Sequence, residues 1–350
     1  MAKTITLSTG YEMPMVGLGT WNSQSGEVEE AVTAALECGY RHIDTAWIYY
    51  NEKEIGSSLK KWFDAGGKRE DIFITTKLPP HANRASDVKL FLSQSLENLA
   101  LDYVDMYLIH TPFTIGRNDD YEIAVDESGM PIIDCDTDHL ATWKVILKIM
   151  YLRDNLNLIN YGCTHVEQVM EEEVREGRVR SIGVSNFNAE LLQNLIDEAD
   201  IKPSNLQIEA HAYMQQRELR ELCARHDVAV TAYSSLGSPA LDDRFKREAF
   251  LARPAPLEHP VVRDIAEAHQ KTPAQVLLRH LIQEGVAVIP KSVKPERVRE
   301  NFELYDFELD EDELRRLDEL DCGEEGRMIA FNKMFEGYII FTFHEFNFRC

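Results

Sequence analysis

The sequence predicts an α/β protein whose parallel strands close into a (β/α)8 barrel, and three observations carry that expectation. Short apolar, β-branched runs alternate along the chain with segments of helical periodicity. Eight such runs occur, the number that closes a parallel sheet on itself with helices outside it. The rival is an open doubly wound sheet, but no G-x-G-x-x-G fingerprint follows an early strand. The chain has 350 residues, enough for two domains or for one barrel.

The elements follow in order. Residues Thr4 to Leu7 read as part of a small hairpin that plugs one end of the barrel. Met15 to Leu18 forms the first strand and Glu27 to Cys38 the first helix. His42 to Asp44 is the second strand, followed by a helix over Asn51 to Trp62. Ile72 to Thr76 is the third strand, with a helix near Ala85 to Asn98. Val104 to Ile109 is the fourth strand. Ser181 to Val184, Leu206 to Ile208, Val228 to Tyr233 and Val286 to Ile289 complete the set. Helices fill the gaps, among them Pro273 to Gln283, which opens on a proline pre-set for the first helical turn. This is the TIM-barrel architecture with an N-terminal β-hairpin.

Composition narrows the function. The 37 basic and 60 acidic residues leave a formal charge of −23, which repels phosphate backbones and anionic bilayers. No nucleic-acid or membrane partner is expected, and any bound anion needs a local cluster of cations. The six cysteines are scattered and form no C-x-x-C pair, as suits a reducing compartment. The N-terminus lacks the apolar run of a signal peptide, and no stretch of about 18 apolar residues occurs. A cytosolic monomer is the expectation. The eleven histidines show no H-E-x-x-H spacing, so no metal site is expected.

Chemistry is indicated where polar residues interrupt apolar strands. Asp44 ends the second strand, Lys77 the third and His110 the fourth. In a parallel barrel all strand C-termini lie at one rim, where active sites sit. Tyr49 follows Asp44 by one loop at the same rim. A free phenol has a pKa of about 10 and is a poor acid at neutral pH. A neighbouring Lys77 ammonium would lower it, Asp44 would keep Lys77 charged, and a neutral His110 would orient a substrate oxygen. Each residue also has a plain structural reading, as a strand-end group or a packed ring, and spacing alone does not choose. A second cluster follows the last strand. Lys291, Ser292 and Arg297 add two cations and a hydroxyl at the start of a helix opening on Pro295, a plausible phosphate seat or an ordinary solvated helix end.

Several motifs together resemble the aldo-keto reductases, close to the aldose and aldehyde reductases. Gly17-Leu18-Gly19-Thr20-Trp21 looks like the first-strand signature. Gly39 to Ala46, then Tyr49 and Asn51 to Gly56, is similar to the most diagnostic motif. Lys77 after Phe73 to Thr76, and Asp105 to His110, match the next two, and the likeness runs to about Asn332. It implies a tetrad of Asp44, Tyr49, Lys77 and His110, with Tyr49 as general acid, and a hydride passed from NADPH to a small aldehyde or ketone. It further implies cofactor contacts from Thr20, Trp21, Asp44, Ser185, Asn186 and Gln207, stacking by Tyr233, and a loop of Ser234, Ser235, Leu236 and Ser238 over the pyrophosphate. Lys291, Ser292, Val293 and Arg297 would hold the 2′-phosphate of NADPH/NADP+, and Glu300 and Asn301 the adenine. Trp21, Ile48, Tyr49, His110 and Thr111 would line the substrate pocket.

The sequence departs from that pattern in three places. About two dozen extra residues, roughly 145–169, interrupt the fourth helix after Trp143-Lys144. A straight helix through them would exceed roughly 50 Å at about 1.5 Å per residue, so a broken helix or bulging loop is expected there. Its apolar residues Ile146, Ile149, Met150, Leu152 and Leu156 could alternatively form a face for a partner. The barrel unit therefore spans 1–336 with an atypical insertion. The tail, 337–350, is aromatic and β-rich where the family has a polar segment over the pocket. Pocket positions also differ, with Leu78-Pro79 and Thr111-Pro112-Phe113 replacing common aromatics and Tyr50 standing where a smaller residue is usual. Two other functions remain open at this point: a non-catalytic NADPH-binding barrel, and a Schiff-base aldolase using Lys77. The second needs an uncharged lysine, against the pairing with Asp44.

Overall fold

A computed structural model describes residues 3–127, 131–134, 142, 177–199, 201–243 and 246–329. The expected insertion at 145–169 and the tail at 337–350 lie outside the described residues. The chain opens with the antiparallel hairpin β1 (Thr4–Thr6) and β2 (Glu12–Pro14), tied by the Thr4 and Thr6 hydroxyls, which donate to the Glu12 carboxylate at 2.6 and 2.5 Å. Strand β3 (Leu18–Gly19) starts the barrel, followed by helix α1 (Glu27–Cys38), β4 (His42–Asp44), α2 (Glu52–Asp64), β5 (Phe73–Leu78), α3 (Val88–Leu99) and β6 (Val104–Ile109). A second hairpin, β7 (Thr114–Ile115) with β8 (Ile133–Asp134), leaves the rim after β6. Then come β9 (Val179–Ser185), α4 (Ala189–Glu198), β10 (Asn205–Glu209), α5 (Arg217–Arg225) and β11 (Ala229–Tyr233). The described chain ends with α6 (Glu248–Leu251), α7 (Pro260–His269), α8 (Pro273–Gln283), β12 (Ala287–Val288), α9 (Pro295–Glu300) and α10 (Glu311–Asp318).

The eight barrel strands follow one another across the sheet in the order β3, β4, β5, β6, β9, β10, β11, β12, every neighbour parallel. Parallel bridges Val16↔Val288 and Gly19↔Lys291 join the first strand to the last and close the barrel. The Gly17 amide donates to the Val288 carbonyl at 2.8 Å and the Val288 amide to Met15 at 2.7 Å. A side chain cannot fit at Gly19, where a Cβ would stand 2.5 Å from the Ile289 carbonyl oxygen. The first strand covers Leu18–Gly19 where the apolar run suggested Met15 to Leu18, although Met15, Val16 and Gly17 still pair with Val288. The third strand runs further, to Leu78, which takes Lys77 inside it.

Alternation along the strands separates two cores. Phe73, Met106, Leu108 and Ala287 point inward and pack with Leu7 and Met13 of the hairpin, which seals the floor. Ile43, Ile74, Tyr107, Ile109, Val184 and Leu206 point outward under the helices. Helix α1 answers with Val28, Ala31, Val32, Ala35 and Leu36, a stripe with helical spacing. Each valine and leucine of the stripe contributes about 1.5–3 kcal/mol by leaving water. Helices α8 and α10 start on capping boxes, Thr272 with Gln275 and Asp310 with Glu313.

Candidate active site

The strand ends bring the expected residues to one rim. Asp44 closes β4, Lys77 is the penultimate residue of β5, and His110 follows β6 directly. Tyr49 ends a 3-10 turn over Trp47–Tyr49. Lys77 is 0% exposed and Asp44 2%, so the pair sits away from water. The Lys77 Nζ donates to Asp44 Oδ1 at 2.6 Å and to the Thr45 carbonyl at 2.8 Å. The ammonium lies 5.2 Å from the centre of the Tyr49 ring, and that ring meets the His110 ring edge-on at 5.6 Å. The Asp44 carboxylate at contact distance favours the ammonium form of this amine, which counts against the Schiff-base alternative.

The electrostatics correct one expectation. The Tyr49 hydroxyl is held well above the usual phenol range, not lowered. Burial is the main cause, and the Asp44 carboxylate and Tyr233 add to it. Lys77 does not reverse this, because its charge is matched by Asp44 at contact distance. Burial lowers the Lys77 amine, opposed by Asp44. Burial, with Lys77 beside it, drives the His110 imidazole well below its ordinary value, so the ring is neutral as expected.

A hydrogen-bond network ties the tetrad to the opposite wall. The Gln207 amide, on β10, donates to Asp44 Oδ2 at 2.7 Å, so both carboxylate oxygens are occupied. Ser185 donates to the Gln207 carbonyl at 3.0 Å. Asn186 stands in the left-handed region at φ 66°; its amide donates to the His110 carbonyl at 2.9 Å and its oxygen accepts from the Tyr233 hydroxyl at 2.7 Å.

Comparison with known proteins decides the family. The aldo/keto reductase family model matches residues 15–322. The chain belongs to the aldo/keto reductase family. It is 41% identical over 326 residues to aldo-keto reductase family 1 member A1-A of Danio rerio, covering 93% of this chain and 91% of that one. It is 39% identical to family 1 member A1 of Xenopus tropicalis, over 89% of this chain and 86% of the relative. The solved aldose reductase of Schistosoma japonicum matches with a TM-score of 0.79 and 38% identity, over 95% of this chain and 96% of that structure. The protein is thus an NADP-dependent oxidoreductase that reduces small carbonyl compounds.

The other residues of this reductase fall as follows. Thr20 is buried, with its amide and hydroxyl on the Asp44 carbonyl at 3.2 and 3.0 Å, and Trp21 is exposed beside it. Ser234 and Ser238 both have positive φ, 56° and 39°, and Ser238 donates to Ser234 at 2.9 Å. Ser235 turns its hydroxyl to the Ala232 carbonyl at 3.1 Å, and Leu236 packs on the core. Lys291 donates to the Asn22 carbonyl at 2.9 Å across the barrel seam, and Ser292 Oγ accepts from the Lys294 amide at 3.1 Å. Val293 and Glu300 are partly exposed and Asn301 is buried. Thr111 spends its hydroxyl on the Phe113 carbonyl at 2.8 Å, and Ile48 is partly exposed next to Tyr49.

These residues fit a phosphorylated dinucleotide. Arg297 is an exposed cation without an ion pair among the described residues, in an otherwise acidic chain, whereas Arg299 on the same helix faces Glu37 at 3.8 Å. His110 keeps a buried Nδ1 without a hydrogen-bond partner among the described residues. Two groups near the tetrad escaped the sequence reading. Asn51 was noted only as part of a motif; its amide donates to the Thr20 carbonyl at 2.9 Å and fixes the loop between β3 and α1. Asn83 was not singled out; a polar residue shortly after the Pro79-Pro80 turn that follows Lys77 was the available signal.

Proposed function

We propose that this reductase turns aldehydes and ketones of the kind taken by aldehyde and aldose reductases into alcohols, with Tyr49 as the proton donor. The observation that carries the reading is the buried Lys77–Asp44 pair at 2.6 Å under a tyrosine that meets a neutral imidazole edge-on. The chemistry NADPH supplies when bound is a hydride. Lys291, Ser292 and Arg297 would hold its 2′-phosphate, Glu300 and Asn301 its adenine, and Ser185, Asn186, Gln207 and Tyr233 its nicotinamide end. His110, lacking a charge, donates a hydrogen bond that aims the carbonyl oxygen without adding a second cation to the site. As negative charge grows on that oxygen, the Tyr49 proton moves to it. Because burial keeps the phenol protonated across the physiological range, the acid is loaded before each turnover. The phenolate left behind sits near the Lys77 ammonium, which Asp44 and Thr45 hold in place. The scattered cysteines, without a C-x-x-C pair, suit a reducing compartment, and we take the protein as a cytosolic monomer.

The test is Tyr49→Phe, followed by NADPH absorbance with a generic aldehyde and by NADPH fluorescence for binding. Turnover falls by about 10²–10⁴-fold, and the dissociation constant for NADPH changes less than about twofold. A variant with near-normal turnover refutes the assigned role.

A further inference from the structure

We propose that Asn83 is a positioning residue for His110, clamping the turn that carries the imidazole. The argument begins with the ring. An active-site histidine is usually oriented by a hydrogen bond from its other nitrogen to a carbonyl or carboxylate. Here Nδ1 of His110 is buried and has no partner among the described residues, so no bond of that kind from them sets the ring angle. Orientation must come from the backbone and from the edge-on contact with Tyr49 at 5.6 Å.

Two asparagines hold that backbone. Asn186 takes the His110 carbonyl from the β9 side at 2.9 Å. From the β5 side, the Asn83 amide donates to the Thr111 carbonyl at 2.9 Å and to the Phe113 carbonyl at 3.0 Å. Asn83 is 0% exposed, and Thr111 and Phe113 are buried, so water cannot replace these bonds. Thr111 closes the turn with its own hydroxyl on Phe113. The segment carrying Asn83 is itself anchored. The Thr142 hydroxyl donates to the Asn83 carbonyl at 3.1 Å, and Asp87, four residues on, accepts Arg117 of the hairpin after His110 at 2.6 and 3.1 Å. Four residues, His110 to Phe113, thus have three of their carbonyls fixed by two carboxamides, while the functional ring has no hydrogen-bonded anchor of its own at Nδ1 among the described residues.

The inference rests on the reading of His110 as the group that orients the carbonyl. Asn83→Asp keeps the side-chain shape but removes both donors and faces two carbonyls with a carboxylate. With saturating NADPH, its kcat/KM for a generic aldehyde falls about tenfold, since small misplacements of a reacting group carry losses of this order or more. NADPH binding, read by fluorescence, stays within about twofold of the parent. The deciding measurement is the double variant with His110→Ala, in which Asn83→Asp costs nothing further. A tenfold loss that persists without the imidazole, or no loss with it present, overturns the proposal. A His110→Ala protein as active as the parent overturns instead the role given to His110. If Asn83→Asp is recovered unfolded, Asn83→His retains one N–H donor and decides by the same two comparisons, with an expected loss of about threefold.

Discussion

The residues proposed for chemistry stand out in the sequence because a polar side chain at the end of an apolar strand is costly unless it is used. Asp44, Lys77 and His110 stand out in this way, and the structure brings them together with Tyr49. The direction in which Tyr49 titrates was not legible, because it depends on burial and on how fully Asp44 balances Lys77, both set by packing. Nor was the use of Gln207, whose amide reaches Asp44 from a residue 163 positions away. Arg297 gives a test at this scale. It is exposed and unpaired among the described residues, so its removal disturbs the fold little. Hydrogen bonds to charged groups contribute about 1.5–3 kcal/mol, so Arg297→Ala should raise the dissociation constant of NADPH by about 10–100-fold. NADH, lacking the 2′-phosphate, should change by less than about twofold. Titration of both nucleotides by fluorescence checks this, and equal losses contradict the phosphate assignment.

Elements were legible to different depths. Helix α1, β4, β6 and α8 have the ends that periodicity and turn residues indicated, Glu27–Cys38, His42–Asp44, Val104–Ile109 and Pro273–Gln283. The β7–β8 hairpin was not foreseen, since its strands have two residues each and follow a proline-containing turn. It is held by Arg117 on Asp87 and Arg84 on Asp134, long-range pairs that no local pattern announces. Gly56 shows how closely the elements are packed. On α2 it faces the end of α3, where an added Cβ would stand 2.4 Å from the Asn98 carbonyl oxygen and 2.8 Å from the Leu99 carbonyl carbon. Backbone atoms cannot swing aside as a side chain can. Gly56→Ala should therefore destabilise the protein by about 1–3 kcal/mol despite the higher helix propensity of alanine. Chemical denaturation measures it, and an unchanged or raised midpoint would show that the two helices separate freely.

For the whole molecule, the buried histidines set the acid limit. His42 and His81 are fully buried, and burial lowers both, His81 to about 4. His110 lies well below its ordinary value for the same reason. In the unfolded chain these rings take up protons as the pH drops below about 6.5, while the folded chain keeps them neutral. The unfolded state then binds more protons, so stability is present above that pH and declines as the pH falls toward the folded values. Between pH 6.5 and 5 stability should fall, with each ring that stays neutral contributing at most about 1.4 kcal/mol per pH unit. Urea midpoints at pH 7.5, 6.5 and 5 would reveal it, and a flat profile would mean the rings titrate as in water.

The hairpin floor has a consequence for traffic through the enzyme. Leu7 and Met13 are pressed against Phe73, Met106 and Leu108, so among the described residues apolar side chains floor the barrel interior. On the role proposed for Tyr49, the proton it gives away would be restored through the same mouth that admits the carbonyl and releases the alcohol. Refuelling the acid and emptying the pocket therefore share one doorway.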